Sequence, residues 1–274
     1  MRRLPLILIT VLLSALGCST NSPWRPGWFA VFSLLGEKYQ TASNAPIPSR
    51  AEVAYGGHER QCLDFYAAPG EGPRPVYVYF HGGGFALGSK HELRPSVIRA
   101  FHACGISVAS CNYRLVQDGP LPQPLYDGAR AVQFLRYQAN EWNIDPDRIA
   151  AGGHSAGGLI ALWLGLHENL ADAASPDPVL QQSTRIQCVA TSDAPTSLEW
   201  GQVKDWFGVS DLRPYPSTKA CLGIDRLEQM DDPKTVRLMQ SVSPYNYVTA
   251  DDPPVYLSHT RWATRVTRFS SPLK

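Results

Sequence analysis

The sequence predicts an α/β fold with a mostly parallel central sheet and helices on both faces. Continuous runs of β-branched and aromatic residues, such as residues 75–80 (PVYVYF), indicate strands that are buried on both sides. Segments with apolar residues at helical spacing, such as residues 124–142, alternate with these runs. Strands that alternate with helices along a chain are typical of a parallel sheet covered by helices.

Composition places the chain among ordinary globular proteins. It has 274 residues with a formal net charge of +1, 44% apolar residues and 18% charged residues. Because binding to phosphate backbones requires a clustered basic excess, nothing here indicates a nucleic-acid partner. The apolar content is also too high for a disordered chain. We find no internal repeat, so we predict one domain over residues 49–274, with residues 197–244 as an insertion of short helices and a monomer as the default state.

The first 17 residues have the pattern of an export signal. Arg2 and Arg3 precede an apolar run, residues 4–16, that is short for a membrane span. Small Gly17 then precedes Cys18 in a pattern that resembles a bacterial lipobox, so we predict lipidation of Cys18, a membrane anchor and a place in the cell envelope. Cleavage nearby without lipidation would instead give a secreted protein. Residues 18–48, rich in Pro, Ser, Asn and Trp, are predicted to form a tether.

The elements follow in the order that the fold class requires, and the first two strands alternate enough to pair antiparallel. The predicted strands are residues 51–55, 62–67, 75–80, 106–113, 148–152, 186–190 and 255–258. The predicted helices are residues 124–142 and 156–168.

Cysteine spacing gives no sign of a metal site, because none of the six cysteines forms a CxxC pair. Cys111 and Cys188 lie in apolar strand-like runs, which favours buried free thiols. An exported chain could form a disulfide, and the sequence assigns no pairing.

The strongest chemical signal is a glycine-rich turn between a strand and a helix. Residues 152–158 read GGHSAGG and contain G-x-S-x-G as Gly153, Ser155 and Gly157. A serine on so sharp a turn has a strained backbone and a projecting hydroxyl, and the following helix N-terminus favours negative charge there. The alternative is a glycine-rich turn with an incidental serine. The strand–turn–helix context favours Ser155 as a catalytic nucleophile.

The second signal is His81-Gly82-Gly83-Gly84, directly after the strand at residues 75–80. Consecutive glycines let backbone N–H groups approach a substrate oxygen. The N–H groups of Gly83, Gly84 and Ala156 are therefore predicted to form an oxyanion hole. A flexible glycine loop without this role is the alternative, and His81 is interpreted as a hydrogen-bonded anchor of the loop.

These motifs resemble those of α/β-hydrolases of the hormone-sensitive-lipase-like and bacterial feruloyl-esterase-like (BD-FAE) group. Residues 63–69 (LDFYAAP), 112–115 (NYRL), 144–149 (IDPDRI) and 243–259 are also similar to that group, as is Asp127, which with the NYRL residues is interpreted as structural. The resemblance covers residues 51–259. It implies ester hydrolysis through Ser155 without a metal or organic cofactor, on small-molecule or polysaccharide-linked esters.

The C-terminal sequence departs from the family pattern. The family order is Ser, then Asp or Glu, then His, but no acidic residue and no histidine follow His259. His167 lies about 18 Å along the helix from Ser155, His154 is expected to point elsewhere, and His259 is interpreted as structural. We therefore expect a truncated domain that lacks the final strand and helix. The strand at residues 255–258 would then be an uncovered edge that lowers stability and favours aggregation.

Two functional hypotheses follow. The first is a serine carboxylesterase acting on short acyl or aryl esters. The second is a truncated or degenerate hydrolase that binds ligand without efficient turnover, because a serine without its base is a weak nucleophile. A peptidase of the same fold has no support, since no propeller or further domain is apparent.

Overall fold

The computed structural model describes residues 46–210, 214–259 and 262–267. The predicted signal peptide, Cys18 and nearly all of the predicted tether lie outside this range. Among the described residues, no helix combines the length and the apolar character needed to cross a bilayer.

Eight strands form one sheet, and β-branched and aromatic residues dominate its buried centre. The strands are β1 (Arg50–Ala54), β2 (Cys62–Tyr66), β3 (Arg74–Phe80), β4 (Ser107–Cys111), β5 (Ile144–His154), β6 (Cys188–Ser192), β7 (Val255–His259) and β8 (Trp262–Thr267). The spatial order is β1-β2-β4-β3-β5-β6-β7-β8. The five central strands, β4, β3, β5, β6 and β7 in spatial order, are mutually parallel. At the two edges of the sheet, β1, β2 and β8 pair antiparallel with their neighbours. The predicted mostly parallel sheet is confirmed.

The helices occupy both faces of this sheet. They are α1 (Pro95–Ala103), α2 (Gln123–Tyr137), α3 (Ala139–Trp142), α4 (Ala156–Leu166), α5 (Trp200–Phe207), α6 (Thr218–Leu222) and α7 (Pro233–Ser241). On one face, Val76, Val78 and Phe80 of β3 belong to the core cluster that includes α2 and α4. On the other face, the ring of Tyr77 stacks on Phe101 of α1 with centroids 4.3 Å apart. This alternation follows from the two-residue period of a strand.

Three elements differ from the sequence-based prediction. Helix α1 was not predicted, although Val97, Ile98 and Phe101 pack on one core cluster at helical spacing. Strand β5 begins at Ile144, earlier than expected, because Ile144 pairs with Arg74 beyond a register shift. The single predicted helix over residues 124–142 is divided into α2 and α3 near Gln138.

The prediction that residues 255–258 form an uncovered edge strand is wrong. Strand β8 pairs antiparallel with β7, with Val255 opposite Thr267 and Tyr256 opposite Val266. Because the backbone groups of β7 bond to strands on both sides, the physical basis for the expected aggregation at that edge disappears.

Candidate active site

The two glycine motifs meet at the carboxyl ends of two central strands of the sheet. His81–Gly84 follows β3, and the Ser155 turn follows β5, and these two parallel strands are direct neighbours, with Phe80 opposite Gly153. Strand β4 lies on the other side of β3, so the chain order reverses between β3 and β5. Clefts outside the carboxyl ends of strands at such a reversal are the usual ligand sites of α/β sheets. Both motifs therefore lie at the position where α/β sheets commonly bind ligands.

Ser155 lies at the junction of β5 and α4 in a strained conformation. Its φ is 52° and its ψ is −117°, a combination that residues other than glycine rarely adopt. The turn is held by two backbone hydrogen bonds: Ser155 N–H donates to Ser192 O at 2.9 Å, and Leu159 N–H donates to Ser155 O at 3.0 Å. The residue as a whole is half-buried. The sharp strand-to-helix turn predicted from the sequence is present.

Glycine is required beside Ser155 because β3 passes very close to the turn. A Cβ at Gly153 would lie 2.4 Å from Phe80 O, and a Cβ at Gly157 would lie 2.1 Å from the same oxygen. Both contacts are with backbone, which cannot rotate away as a side chain would. All of α4 is buried, so the helix cannot shift outward without opening the core.

Replacing Gly157 by Ala is therefore expected to destabilise the protein and to disturb the Ser155 turn. Overpacking of this kind costs about 1–3 kcal/mol. Denaturant unfolding, followed by circular dichroism, measures the free energy of unfolding. Gly201 in α5 is the matched control, because a Cβ there meets nothing within 4 Å. Gly201→Ala should leave the free energy of unfolding unchanged or raise it by up to about 1 kcal/mol. Equal behaviour of the two variants would contradict the close approach of Gly157 to β3.

The glycine loop lies against the Ser155 turn. A Cβ placed on Gly82 would be 3.7 Å from Ser155 Cβ and 3.0 Å from His154 Cδ2. Gly83 and Gly84 have φ values of 105° and 60°, which favour glycine, and both are half-buried. Ala156 is the first residue of α4. The glycine loop therefore lies next to Ser155 and the N-terminus of α4, although about seventy residues of the chain separate the loop from Ser155.

The insertion contacts this loop from outside the sheet. A Cβ at Gly84 would be 3.0 Å from Ser217 Oγ, and Cys221 Sγ lies 3.5 Å from Gly84 O. Leu121 N–H also donates to Cys221 O at 2.9 Å. Helix α6, in the predicted insertion of short helices over residues 197–244, thus borders the candidate site.

His81 is buried behind the glycine loop rather than facing the cleft. Its ring stacks on Tyr113 with centroids 4.2 Å apart, and its Nδ1 lies 2.7 Å from Gly82 O. Burial lowers the pKa of His81 to about 4, against a smaller raising effect of the Gly82 carbonyl. The ring is therefore neutral near pH 7, and its position is that of a loop anchor.

The other histidines differ in their relation to Ser155. The His154 side chain is half-exposed, with Nδ1 3.1 Å from Ser192 Oγ and 3.7 Å from Asp193 Oδ2. The ring of His167 packs at a tilt between those of Trp163 and Tyr247 at the far end of α4. His259 ends β7, and its side chain lies outside what the structure describes. The nearest histidine in sequence thus contacts the end of β6.

Asp127, which the sequence analysis interpreted as structural, is buried. It accepts hydrogen bonds from Gln61 Nε2 at 2.7 Å and from Arg114 Nη2 at 2.6 Å.

Cys111 and Cys188 are fully buried, free thiols, as predicted. Burial raises the pKa of Cys188 to about 12, so this thiol remains protonated at neutral pH. Within residues 46–259, apart from 211–213, no three metal-ligating side chains cluster.

Two residues hold the glycine loop from behind. Tyr113 donates its hydroxyl to His81 O at 2.7 Å, and Arg60 reaches the same histidine. Tyr113 belongs to the NYRL stretch that the sequence analysis interpreted as structural, but its contact with His81, 32 positions away, was not predicted. Sequence reasoning missed Arg60, which lies 21 positions from His81, because no local pattern marks a contact that exists only in the folded protein.

Known proteins resemble this chain in sequence. The BD-FAE family model matches residues 63–271. An AB hydrolase superfamily protein of Schizosaccharomyces pombe is 29% identical over 161 residues, which are 59% of this chain and 47% of the relative. Carboxylesterase NlhH of Mycobacterium tuberculosis is 44% identical over 89 residues, 32% of this chain and 27% of the relative. The chain thus spans about half or less of the length of these relatives.

Solved structures are similar over most of the chain. The acetyl ester-xyloside bifunctional hydrolase from Caldicellulosiruptor lactoaceticus is 28% identical with a TM-score of 0.60, covering 79% of this chain and 75% of that one. A truncated form of a carbohydrate esterase from gut microbiota has a TM-score of 0.63 over 81% of this chain and 79% of that one. At 20% identity, this second likeness concerns the fold alone.

Proposed function

The chain belongs to the BD-FAE family, and on that premise we propose that it is a serine carboxylic ester hydrolase acting on short acyl or aryl esters. The observation that carries the proposal is the backbone of Ser155, at φ 52° beside the glycine loop. A strained, half-exposed serine between a strand and a helix is the arrangement of a nucleophile elbow. Strain of this kind costs free energy and persists where function requires it.

Ser155 Oγ attacks the ester carbonyl carbon in the proposed reaction. A Ser155 O–C bond forms, the carbonyl oxygen becomes an oxyanion, and the bond to the alcohol oxygen then breaks. The hydroxyl proton leaves with the alcohol, and water releases the acid from the acyl-enzyme in the second half. The N–H groups of Gly83, Gly84 and Ala156 are the proposed donors to the oxyanion. Such preorganised donors contribute about 10²–10³ in kcat each.

Two features support a small acyl group on a varied alcohol. The Ser155 turn is closely bordered by the glycine loop and by α6 of the insertion, which leaves limited room beside Gly84. A relative in structure is named an acetyl ester-xyloside bifunctional hydrolase, and the acetyl ester in that name agrees with short acyl groups. We therefore propose small-molecule or polysaccharide-linked esters of short acids as substrates.

Reaction with diethyl p-nitrophenyl phosphate tests the nucleophile directly. We expect one diethylphosphoryl group per chain, located by peptide mass spectrometry on Ser155, and turnover of p-nitrophenyl acetate that this modification abolishes. Modification of Ser155 without turnover in the untreated protein would refute the hydrolase and leave a binding protein. Absence of modification, or modification of another residue, would refute Ser155 as the nucleophile.

A further inference from the structure

Arg60 connects three parts of the molecule behind the glycine loop. It lies between β1 and β2, far from Ser155 in sequence, and its side chain is half-buried. Its Nε donates to Tyr113 O at 2.9 Å, and its Nη2 donates to Gly88 O at 3.0 Å. The same Nη2 lies 3.4 Å from His81 Nε2. One guanidinium thus reaches the segment that follows β4, the histidine at the start of the glycine loop and Gly88 at its end.

The contact with Arg60 and the contact with Gly82 O agree on which nitrogen of His81 carries the proton. A guanidinium only donates and is always protonated, so the ring nitrogen that faces it must accept. Since the neutral imidazole has one donor and one acceptor nitrogen, an accepting Nε2 leaves the proton on Nδ1. That proton is donated to Gly82 O, 2.7 Å away. In the other tautomer, two lone pairs would face each other across this contact.

The hydrogen bond to Gly82 O in turn orients the following N–H. In a planar trans peptide, the C=O and the N–H point in opposite directions. Holding Gly82 O toward His81 therefore directs the N–H of Gly83 away from His81. The hydroxyl of Tyr113 also lies 3.4 Å from Gly82 O, on the same side. The direction of the Gly83 N–H thus depends on contacts made on the opposite side of the peptide.

Gly88 packs closely against the hydrogen bond between His81 and Gly82 O. A Cβ at Gly88 would lie 2.5 Å from His81 Nδ1 and 2.7 Å from Gly82 O, directly over their hydrogen bond. Gly88 has φ 104°, and its carbonyl is one of the acceptors of Arg60. The loop from His81 to Gly88 is also closed on itself, because Ala86 and Leu87 N–H groups donate to Gly83 O at 3.0 and 3.2 Å.

We propose that Arg60 is a positioning residue for the oxyanion hole, which fixes His81 as its Nδ1–H tautomer and thereby directs the Gly83 N–H toward the substrate oxygen. This inference rests on the proposed function only for the role of Gly83. Arg60 touches neither substrate nor Ser155. Its effect is expected in the rate of the chemical step rather than in substrate binding, because an oxyanion donor acts mainly in the transition state.

The test uses Arg60→Met, which keeps the length of the side chain and removes its donors, and Arg60→Lys, which restores one positive donor. Arg130→Met is the matched control. Arg130 is also half-buried and donates to a backbone carbonyl, Tyr55 O at 2.8 Å, but it contacts no residue of the loop. All variants are compared at equal folded fraction, measured by circular dichroism.

Two measurements are made on each variant. Long-range proton–nitrogen correlation spectra of protein labelled with ¹⁵N-histidine report the tautomer of His81 without any need for activity. We expect Nδ1–H in the wild type and in Arg130→Met, and a mixture with Nε2–H in Arg60→Met. Hydrolysis of p-nitrophenyl acetate should show a kcat about tenfold or more lower in Arg60→Met with KM changed less than about twofold, and partial recovery in Arg60→Lys.

The outcomes separate this inference from the proposed function. An Nε2–H wild type, or an unchanged tautomer in both Arg60 variants, would overturn the inference whatever the activity. A changed tautomer with unchanged kcat would overturn the positioning of Gly83. The tautomer could change in Arg60→Met while Ser155 of the wild type fails to react with the phosphate ester. That result would refute the proposed function and retain the control of the His81 tautomer by Arg60. If Arg60→Met does not fold, Arg60→Lys decides by the same two readouts.

Discussion

Replacing Ser155 by Ala is expected to lower the rate of p-nitrophenyl acetate hydrolysis by about 10³-fold or more. The physical reason is that the acyl-enzyme can no longer form, so only binding and the oxyanion donors remain to assist the attack of water. The fold should be unaffected, because Ala at φ 52° is no more strained than Ser. Steady-state kinetics and thermal unfolding on the same preparations measure the two effects.

Ser258 provides the matched control for this variant. It is a half-buried serine at the end of β7, on the same edge of the sheet, and its Oγ donates to Thr191 O at 3.2 Å. Ser258→Ala should keep the wild-type rate. An equal loss in both variants would point to a general disturbance of the sheet edge, and an unchanged rate in Ser155→Ala would remove Ser155 from the mechanism.

Replacing Asp127 by Ala is expected to lower the free energy of unfolding by about 3–5 kcal/mol, the usual cost of removing one partner of a buried ion pair. The Asp127 side chain is 1% exposed, and Arg114 donates to it through its backbone N–H at 2.8 Å and through its guanidinium at 2.6 Å. Gln61 Nε2 donates to the same carboxylate. Without it, these donors lose their acceptor in a site that is mostly buried, since the Arg114 side chain is only 27% exposed.

Urea unfolding measures this loss, and Glu141→Ala is its control. Glu141 pairs with Arg50 at 3.1 Å, but the two side chains are 64% and 42% exposed. Exposed pairs of this kind contribute about 0–1 kcal/mol. If Asp127→Ala unfolds at the same urea concentration as Glu141→Ala, the buried cluster contributes nothing beyond an ordinary surface pair. Since Gln61 follows Arg60, a loosened cluster should also disturb the glycine loop.

The sequence predicted well those features that depend on neighbours in the chain. Residues 75–80 and 152–158 encode a buried strand and a sharp strand-to-helix turn locally, and both are present as β3 and as the turn at Ser155. The requirement for glycine at positions 153 and 157 also follows from that turn. Helix α1 was missed although its helical spacing is local. By contrast, the edge expected at β7 is covered by β8, which the sequence did not predict because strand pairing is not a local property.

By itself, the sequence determined the fold class, the family resemblance and the identity of the two glycine motifs, since spacing and residue type are enough to define a turn. The tertiary structure decided that these motifs meet, because it inserts β3 between β4 and β5 in the sheet. It also decided how the glycine loop is held. Arg60 and Tyr113 reach His81 only across the packed interior, where hydrogen bonds and burial, rather than chain neighbours, fix the direction of each N–H.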